Sequence, residues 1–451
     1  MLPGGSAARP QLIRVMNEQL VLAHIRAAGE LSRADLARVS GLAKNTVSQA
    51  LTNLERAGLV RTSGVRKGAP GPQAVLYEVN PEAGFVLGLD VGSHFLRGAL
   101  ADLTGTVRAR TTLQATDLDG SATVAQLADL AGMLCAEAGV KISDVGQTVL
   151  GSPGIYDPER DALNLVGGRP GWDDPVVLRE LRAKFSDTLV LENDIDAAAL
   201  AEQAHGHGRE VESFAFVSVG TGIGMGLVIG GRLHRGAHGA AGEIGFLPAP
   251  APRAGSSSFP PASPPSSSAS PASSPASPAS PASATSPASP TSSPASSATS
   301  SEASCLADAD AAAEDARRRG RLEVVAAAPG VVEAARRAGM ADAVSARTIF
   351  AAAAAGDPLA AAVVSAEAVL VGDAICAIIA VADPDLVVLG GGIGQAAGFL
   401  DRVSDHVRAH APVLPSLRVS ALGDDAVVDG CLAAAGERLW QRLTDEMTPA
   451  Q

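Results

Sequence analysis

Aromatic residues and cysteine are scarce in this sequence. Phe, Tyr and Trp together make up 3% of the 451 residues, so a hydrophobic core must be built from small aliphatic side chains. The four cysteines form no Cys-x-x-Cys pair and stand far apart, at Cys135, Cys305, Cys376 and Cys431. This spacing argues against a disulfide framework and is typical of proteins in a reducing compartment. We therefore expect a cytoplasmic protein.

Hydrophobic runs typical of signal peptides or membrane spans are also lacking. The N-terminus has no apolar core, which argues against a signal peptide. The most apolar late stretch, Leu359 to Ala382, is interrupted by Glu367 and Asp373 and so predicts a buried helix rather than a membrane span. No membrane partner is expected. A chain of this length has room for two or three domains.

Positive charge is concentrated at one end of the chain. The formal net charge is −13, but residues 1–80 hold ten Lys and Arg against five Asp and Glu, a net of +5. The remaining residues carry 25 against 43, a net of −18. A basic head on an acidic body indicates an anionic partner that binds near the N-terminus.

Residues 1–80 have the pattern of a winged helix domain. A first helix over residues 13–25 is indicated by side chains at helical spacing: Ile13, Met16, Leu20 and His24. Ser32 as N-cap with Asp35 at the third helical position predicts a second helix, which ends near Gly41. A third helix follows, although Ala43 at its expected N-cap provides no capping side chain. Short helices with a glycine turn between the last two are typical of a helix-turn-helix.

The third helix and the loop after the domain's first strand carry side chains suited to DNA. Strand-like segments at residues 59–62 and 74–79 flank a basic loop that would form the wing. Polar and cationic side chains in these elements can read base edges or contact phosphates. The candidate DNA-binding residues are Lys44, Asn45, Thr46, Ser48, Gln49, Arg66 and Lys67. Small helix-turn-helix folds also serve as protein-docking domains, but the basic wing favours operator DNA as the partner.

Residues 81–451 alternate strand-like and helical segments, which predicts an α/β body. Glycine-containing loops follow several of the predicted strands and could bind phosphate through backbone N–H groups. Any one of these loops also fits a tight turn without a ligand. The candidate phosphate-loop residues are Asp90, Gly92, Gly220, Thr221, Gly222, Gly391 and Gly392.

A carboxylate at the end of a strand is the centre of the predicted ligand site. The stretch Leu191-Glu192-Asn193-Asp194 ends an apolar run and leads into a helix, and Gly242-Glu243-Ile244-Gly245 brings a second carboxylate. Carboxylates beside a flexible loop can hold a small polyhydroxylated ligand by accepting hydrogen bonds from its hydroxyl groups. Asp194 could alternatively serve only as a helix cap, because it precedes the helical residues 197–204.

Residues 250–304 are almost entirely Ser, Pro and Ala. Such a segment cannot bury enough apolar surface to offset its chain entropy. The sequence therefore predicts a disordered insertion within a loop of the body.

Several motifs of the body resemble, in order and spacing, those of the ROK family (repressors, open reading frames and kinases). They are Asp90-Val91-Gly92, Gly151-Ser152-Pro153-Gly154, Glu192-Asn193-Asp194, the loop from Gly220 to Gly226, and Gly242-Glu243-Ile244-Gly245. The resemblance covers residues 81 to about 435 outside the insertion, and the winged helix is similar to that of the family's regulators. It implies an actin-like, two-lobed ATPase fold, homodimers or higher homo-oligomers, and a sugar or sugar phosphate effector.

The resemblance also implies roles and domain bounds. Asn193 and Asp194 match the pair that contacts sugar hydroxyls, and Asp194 matches the general base of the kinases. Glu243 and Glu323 match sugar-binding carboxylates, and Gly154 is grouped with them as effector-binding. The implied domains are a winged helix at 1–80, lobe I at 81–196 with a C-terminal helix at about 430–447, lobe II at 197–430, and the insertion at 250–304.

The sequence departs from the family's kinases at two places. The resemblance implies a zinc-binding histidine after Gly-Glu-Ile-Gly, but Phe246 stands there, and Arg321 stands at the place of the last zinc-binding cysteine. Without thiolate or imidazole donors we expect no zinc site. In the first phosphate loop His94 replaces a threonine and Phe95 replaces a polar residue.

We therefore expect a sugar-responsive, DNA-binding regulator that acts as a repressor, has a non-catalytic body and requires no cofactor. Phosphoryl transfer depends on the positioning of Mg-ATP, and the altered first phosphate loop argues against it. The second hypothesis is an active sugar kinase with an accessory DNA-binding head, for which ATP and Mg²⁺ would be cofactors and Asp194 the base. A body that serves only as a dimerisation scaffold is the third.

Overall fold

The computed structural model describes residues 10–66, 74–116, 119–164, 171–249 and 319–448, and the single positions 315 and 317. In these residues the chain forms a small N-terminal domain followed by two five-stranded sheets with packed helices. The predicted fold class, a winged helix followed by an α/β body, is confirmed. The predicted insertion at 250–304 lies outside the described residues.

The N-terminal domain packs three helices against a three-stranded sheet. Its elements are α1 (Pro10–Ala28), β1 (Glu30–Ser32), α2 (Arg33–Ser40), α3 (Lys44–Arg56), β2 (Val60–Arg66) and β3 (Ala74–Val79). Strand β3 lies in the middle and pairs antiparallel with both neighbours. The strand β1 was not predicted from the sequence. It is only three residues long and is defined by its pairing with β3 across the domain.

The capping box predicted for α2 is confirmed. The Ser32 hydroxyl accepts a hydrogen bond from the Asp35 N–H at 3.2 Å, and the Asp35 carboxylate accepts one from the Ser32 N–H at 3.3 Å. Gly41 ends the helix with a φ of 70°, a conformation that glycine adopts at little cost. As expected, Ala43 precedes α3 without a side-chain cap.

Replacing Ser32 with alanine should destabilise α2, because it removes the oxygen that caps the Asp35 N–H. We expect the local free energy of unfolding to fall by about 0.5–2 kcal/mol. Amide hydrogen exchange across α2 would measure this change. Ser63→Ala, at an exposed position on β2, is the matched control, and equal protection of α2 in both variants would contradict the prediction.

The apolar spacing that indicated α1 does not mark its buried face. Ile13 and Met16 are 50% and 59% exposed, whereas Val21 and Ile25 are fully buried. The helix carries two apolar stripes, and α2 and α3 pack against only one of them. Spacing alone predicted the helix correctly but could not show which stripe the rest of the domain would cover.

The first sheet of the body has the order β10-β7-β4-β5-β6. Its elements are β4 (Phe85–Val91), β5 (Phe95–Asp102), β6 (Val107–Gln114), α4 (Gly120–Ala138), β7 (Val145–Ser152), the hairpin β8 (Ile155–Asp157) and β9 (Ala162–Asn164), α5 (Pro175–Phe185) and β10 (Leu189–Asn193). Strands β4, β7 and β10 are parallel neighbours, so their C-terminal ends lie at the same edge. Ligand-binding loops of α/β sheets are found at such edges.

The second sheet of the body has the order β13-β12-β11-β14-β15. The remaining elements are α6 (Asp194–His205), β11 (Phe214–Val219), β12 (Ile223–Ile229), β13 (Arg232–Leu233), α7 (Arg321–Ala326), α8 (Ala328–Arg337), α9 (Ala346–Ala354), α10 (Pro358–Ala382), β14 (Leu386–Gly390), α11 (Gly391–Gly394), α12 (Phe399–His410), β15 (Ser416–Val419) and α13 (Ala426–Glu446). By length and composition, α10 alone among the described helices could cross a membrane, and 56% of its most apolar window is buried. It packs in the core beside the second sheet.

The last helix, α13, connects three parts of the molecule. Near its start, a Cβ on Gly430 would lie 1.7 Å from the Ala197 carbonyl oxygen, so α13 and α6 touch backbone to backbone. Further along, the Trp440 Nε1–H donates to the Leu103 carbonyl at 3.1 Å.

The C-terminal half of α13 also contacts α1. Arg26 pairs with Glu437 at 2.6 Å and lies over the Trp440 ring, 4.7 Å from its centroid. The Gln19 amide donates to the Thr444 carbonyl at 2.9 Å. One helix therefore touches α6, the first sheet and the winged helix domain.

Candidate functional site

The candidate DNA-contacting residues of α3 lie together on one face. Lys44, Asn45 and Gln49 are exposed, and Thr46 and Ser48 are partly exposed. The opposite face of the helix is buried and consists of Val47, Ala50, Leu51 and Leu54. This arrangement leaves hydrogen-bonding side chains available to a groove of DNA.

Hydrogen bonds between α3 and α1 hold the polar side chains of α3 in place. The Gln49 amide donates to Asn53 Oδ1 at 3.1 Å, and the Asn53 amide in turn donates to Glu18 Oε1 on α1 at 2.5 Å. Two hydrogen bonds therefore connect α1 to Gln49, so a movement of α1 would change the position of the Gln49 side chain.

The candidate wing residue Arg66 lies at the end of β2 and forms an ion pair with Asp35 at 3.0 Å. Hydrogen bonds from Ser32 and Arg38 hold the pKa of Asp35 well below its ordinary value, and the charge of Arg66 adds to this effect. The pairing attaches the wing strand to α2. Lys67 lies outside the described residues.

In the candidate effector site, Asn193 is the N-cap of α6. Its side-chain oxygen accepts hydrogen bonds from the N–H groups of Ile195 and Asp196, at 2.9 and 3.1 Å. The helix begins at Asp194, earlier than predicted, so the N-cap position belongs to Asn193. Asp194 lies in the first turn, and its carboxylate accepts a hydrogen bond from the Ile195 N–H at 2.9 Å. The Asn193 amide also donates to the Gly154 carbonyl at 3.1 Å, which joins the loop after β7 to the end of β10.

Three of the candidate effector-binding residues bring carboxylates to one place. Burial, with a smaller contribution from the charge of Glu323, raises the pKa of Asp194 to about 6. Burial raises the pKa of Glu243 to about 7, with contributions from the charges of Asp194 and Glu323. These mutual effects place all three groups within electrostatic range of one another. Ionised carboxylates so arranged can accept several hydroxyl hydrogen bonds from one small ligand.

Glycines allow Glu323 to approach the glycine-rich loop. A Cβ on Gly222 would lie 3.2 Å from Glu323 Oε2, and a Cβ on Gly245 would lie 3.3 Å from the Glu323 Cβ. The Arg319 guanidinium holds the same carboxylate at 3.2 Å. Burial raises the pKa of Glu323, while Arg319 opposes this shift.

Sequence reasoning missed three charged residues behind the site. Glu192 is 6% exposed and its carboxylate is held by Arg235, with Nε 3.0 Å from Oε1. Asp196 is 4% exposed, and burial followed by the charge of Glu192 raises its pKa to about 8. The acidic spacing from Glu192 to Asp196 was visible in the sequence. Arg235 lies 43 residues from its partner, and no local signal could have identified it.

The candidate phosphate loops lie close to one another. The Ser93 hydroxyl donates to Thr221 Oγ1 at 3.4 Å, which joins the loop after β4 to the loop after β11. A Cβ on Gly220 would lie 3.6 Å from the Gly392 nitrogen and 3.9 Å from the Gly391 Cα. The segments that follow β4, β11 and β14 in the two sheets therefore lie together.

Some polar groups of these loops have partners within the protein. Arg97 Nη1 lies 3.3 Å from Asp90 Oδ2, and Arg97 also pairs with Asp424 at 3.7 Å. The Gly92 N–H donates to the Phe95 carbonyl at 3.1 Å. Asp90 thus has a guanidinium neighbour at the start of the first candidate phosphate loop.

The residues present do not fit the zinc site that the resemblance implies. Phe246 and Arg321 are both exposed, and neither side chain is a zinc ligand. Among the described residues, no group of three or more His, Cys, Asp or Glu side chains is arranged to hold a metal ion.

Two family models match this chain. The model of the ROK family matches residues 86–269 and 311–437, and the model of the MarR family matches residues 17–68. The xylose repressor of Bacillus subtilis (strain 168) is 28% identical over 237 residues, which cover 52% of this chain and 61% of the relative. The putative xylose repressor of Caldicellulosiruptor sp. (strain Rt8B.4) is 30% identical over 241 residues, covering 52% and 59%. The chain thus spans about 60% of the curated relatives' length.

Solved structures show the same fold. A ROK family transcriptional regulator described as a homologue of the E. coli MLC protein has a TM-score of 0.66 at 22% identity, covering 96% of this chain and 98% of that one. The ROK hexokinase of Thermus thermophilus has a TM-score of 0.56 at 26% identity, covering 80% and 99%. Because the ROK family model matches well over half of the sequence, the chain belongs to the ROK family.

Proposed function

We propose that this protein is a sugar-responsive, DNA-binding transcriptional repressor. The observation that carries the proposal is the presence, in one chain, of an exposed polar α3 and a cleft in which Asp194, Glu243 and Glu323 converge. The relatives named xylose repressors support a sugar as the effector, and make D-xylose the first ligand to test. The effector-binding set also includes Asn193 and Gly154, whose mutual hydrogen bond shapes the rim of the cleft.

The pairing of Arg97 with Asp90 supports a body that binds its ligand without catalysis. Phosphoryl transfer requires precise positioning of Mg²⁺ and the triphosphate, and Asp90 already has a cationic neighbour. An active sugar kinase is the second candidate, because a pKa of about 6 would suit Asp194 as a general base. In that case ATP and Mg²⁺ would be cofactors; the repressor proposed here requires neither.

The route from the effector site to the DNA-binding domain runs through α13. Asp194 is the first residue of α6, and α6 touches Gly430 of α13 through its backbone. The other end of α13 holds Arg26 and Gln19 of α1. A ligand that moves α6 relative to the first sheet would therefore shift α1, and with it the orientation of α3.

A homodimer is part of the proposal. Helix-turn-helix proteins commonly read two half-sites about one helical turn apart, and a change of a few ångströms between two recognition helices lowers affinity. We propose a cytoplasmic dimer in which the effector alters the distance between the two winged helices.

A gel-shift assay with the DNA upstream of the protein's own coding sequence tests the function. We expect a specific complex that D-xylose or another neutral sugar dissociates, without ATP. Absence of specific DNA binding under all conditions would contradict the proposal. Sugar-dependent ATP turnover that Asp194→Asn abolishes would support the kinase instead.

A further inference from the structure

Asp196 is a buried carboxylate behind the effector site, and one of its oxygens lacks a partner. It occupies the third position of α6, where its N–H is bonded to Asn193 Oδ1 at 3.1 Å. The side chain is 4% exposed, and its Oδ1 has no hydrogen-bond partner in the described part of the chain. Burial of an ionised carboxylate without partners is strongly unfavourable, whereas a protonated carboxyl group is tolerated.

The surroundings of Asp196 contain more acids than bases. Glu192 from β10, Asp194 from α6 and Glu243 from the turn before Phe246 act on it as negative charges, and Arg235 from the segment after β13 acts as the positive one. From α13, the buried Cys431 thiol is the titratable group; burial raises its pKa, and the charges of Asp90, Glu192 and Asp194 add to this effect. The Arg235 guanidinium is already engaged by Glu192 through Nε and Nη2.

We propose that Asp196 is a positioning residue that carries a proton in the free protein. Its neutral form leaves the Arg235 guanidinium paired with Glu192, and it leaves Asp194 as the ionised carboxylate that faces the ligand. The part of this proposal that concerns the ligand rests on the proposed sugar-binding function. An ionised Asp196 would compete with Glu192 for Arg235 and would repel the carboxylate of Asp194 two residues away on the same helix. Its proton therefore lets Asp194 accept hydroxyl hydrogen bonds as an anion.

The ionisation behaviour of Asp196 supports this arrangement and gives the direction of the test. Its pKa is raised to about 8 by burial and by Glu192, far above its value in an unfolded chain. At pH values between the pKa of Asp196 in the unfolded chain and its pKa in the folded protein, the folded state binds one more proton than the unfolded state. The free energy of unfolding therefore falls as the pH rises. Above the pKa of the folded state, Asp196 is ionised in both states, and the decrease in the free energy of unfolding is complete. Asparagine mimics the neutral form at every pH.

The decisive experiment needs no ligand. We expect the melting temperature of Asp196→Asn, relative to the unsubstituted protein, to rise steadily from pH 5 to pH 8 and then level off, with a total gain of about 5 °C or more. Adding Asp196→Asn to Glu192→Gln should give a smaller pH-dependent gain, because Arg235 would then be free to stabilise an ionised Asp196. A difference that stays constant from pH 5 to pH 9 would overturn the proposal.

Titration calorimetry with D-xylose tests the coupling to the ligand. Because Glu243 also titrates in this range, with a pKa of about 7, the two proteins are compared with each other. We expect the affinity of the unsubstituted protein to fall about tenfold relative to that of Asp196→Asn between pH 7 and pH 9. The same pH profile in both proteins would overturn the role in positioning Asp194. If neither protein binds D-xylose or any of a panel of neutral sugars, the proposed function fails and the coupling with it, whereas the ligand-free pH profile still decides whether Asp196 holds the proton.

Discussion

Replacing both Asn45 and Gln49 with alanine should lower operator affinity by about 100-fold or more without unfolding the domain. Both side chains are exposed on α3, and the opposite face of the helix, which carries the core contacts, stays intact. A side chain that reads a base edge contributes about 1–3 kcal/mol of discrimination, so the loss of two reaches this magnitude. Fluorescence anisotropy with labelled operator, at fixed salt concentration, would measure the change.

The chain offers a matched control for this double substitution. Asn164 on β9 and Gln441 on α13 are the same residue types, both are exposed, and both lie in the ROK body. Their replacement by alanine should leave operator affinity within about twofold, since surface substitutions usually change stability by less than 0.5 kcal/mol. Equal affinity of the α3 double variant and the control would show that another surface reads the operator. A drop that is the same for operator and unrelated DNA would contradict a role in sequence readout.

The second large effect is expected from Asp194→Asn. This protein should still bind the operator but should no longer be released by the sugar. Hydrogen bonds to charged groups contribute about 1.5–3 kcal/mol each, so the loss of a carboxylate that accepts two hydroxyls corresponds to at least a 100-fold loss of sugar affinity. Operator binding with and without sugar would show the uncoupling, and calorimetry would show the affinity.

Asp187→Asn provides the control for this substitution. Asp187 is an exposed aspartate between α5 and β10, so the change removes the same charge outside the cleft. Its sugar response should match that of the unsubstituted protein. A normal sugar response in Asp194→Asn would exclude this carboxylate from the effector site. Loss of operator binding in Asp194→Asn, by contrast, would indicate that α6 supports the DNA-binding form directly.

Local signals in the sequence predicted the elements that short-range chemistry determines. The capping box of Ser32 and Asp35, the glycine at position 41 and the missing cap at Ala43 all depend on atoms within three or four residues. The buried strands also followed from composition, because continuous apolar runs suit strands covered on both sides. The fold class followed from the order of these elements together with linked motifs.

Features that depend on contacts between residues far apart in the sequence could not be predicted from local signals. The face of α1 that becomes buried is chosen by α2 and α3, and the sequence of α1 contains two usable stripes. At the candidate effector site, the choice of Asn193 over Asp194 as the N-cap depends on where the backbone turns. Arg235 could not be identified because its partner Glu192 lies 43 residues away in the sequence. The proximity of Arg97 to Asp90 depends on the pairing of β4 with β5.

The path of α13 has a consequence for the exchange of parts between related regulators. A chimera that replaces residues 1–80 alone would bring in foreign residues at positions 19 and 26, opposite Thr444, Glu437 and Trp440 of the original body. Such a chimera should bind DNA but respond weakly to its inducer. A biosensor assembled from this protein would therefore need two junctions, so that the C-terminal half of α13 is exchanged together with the DNA-binding domain.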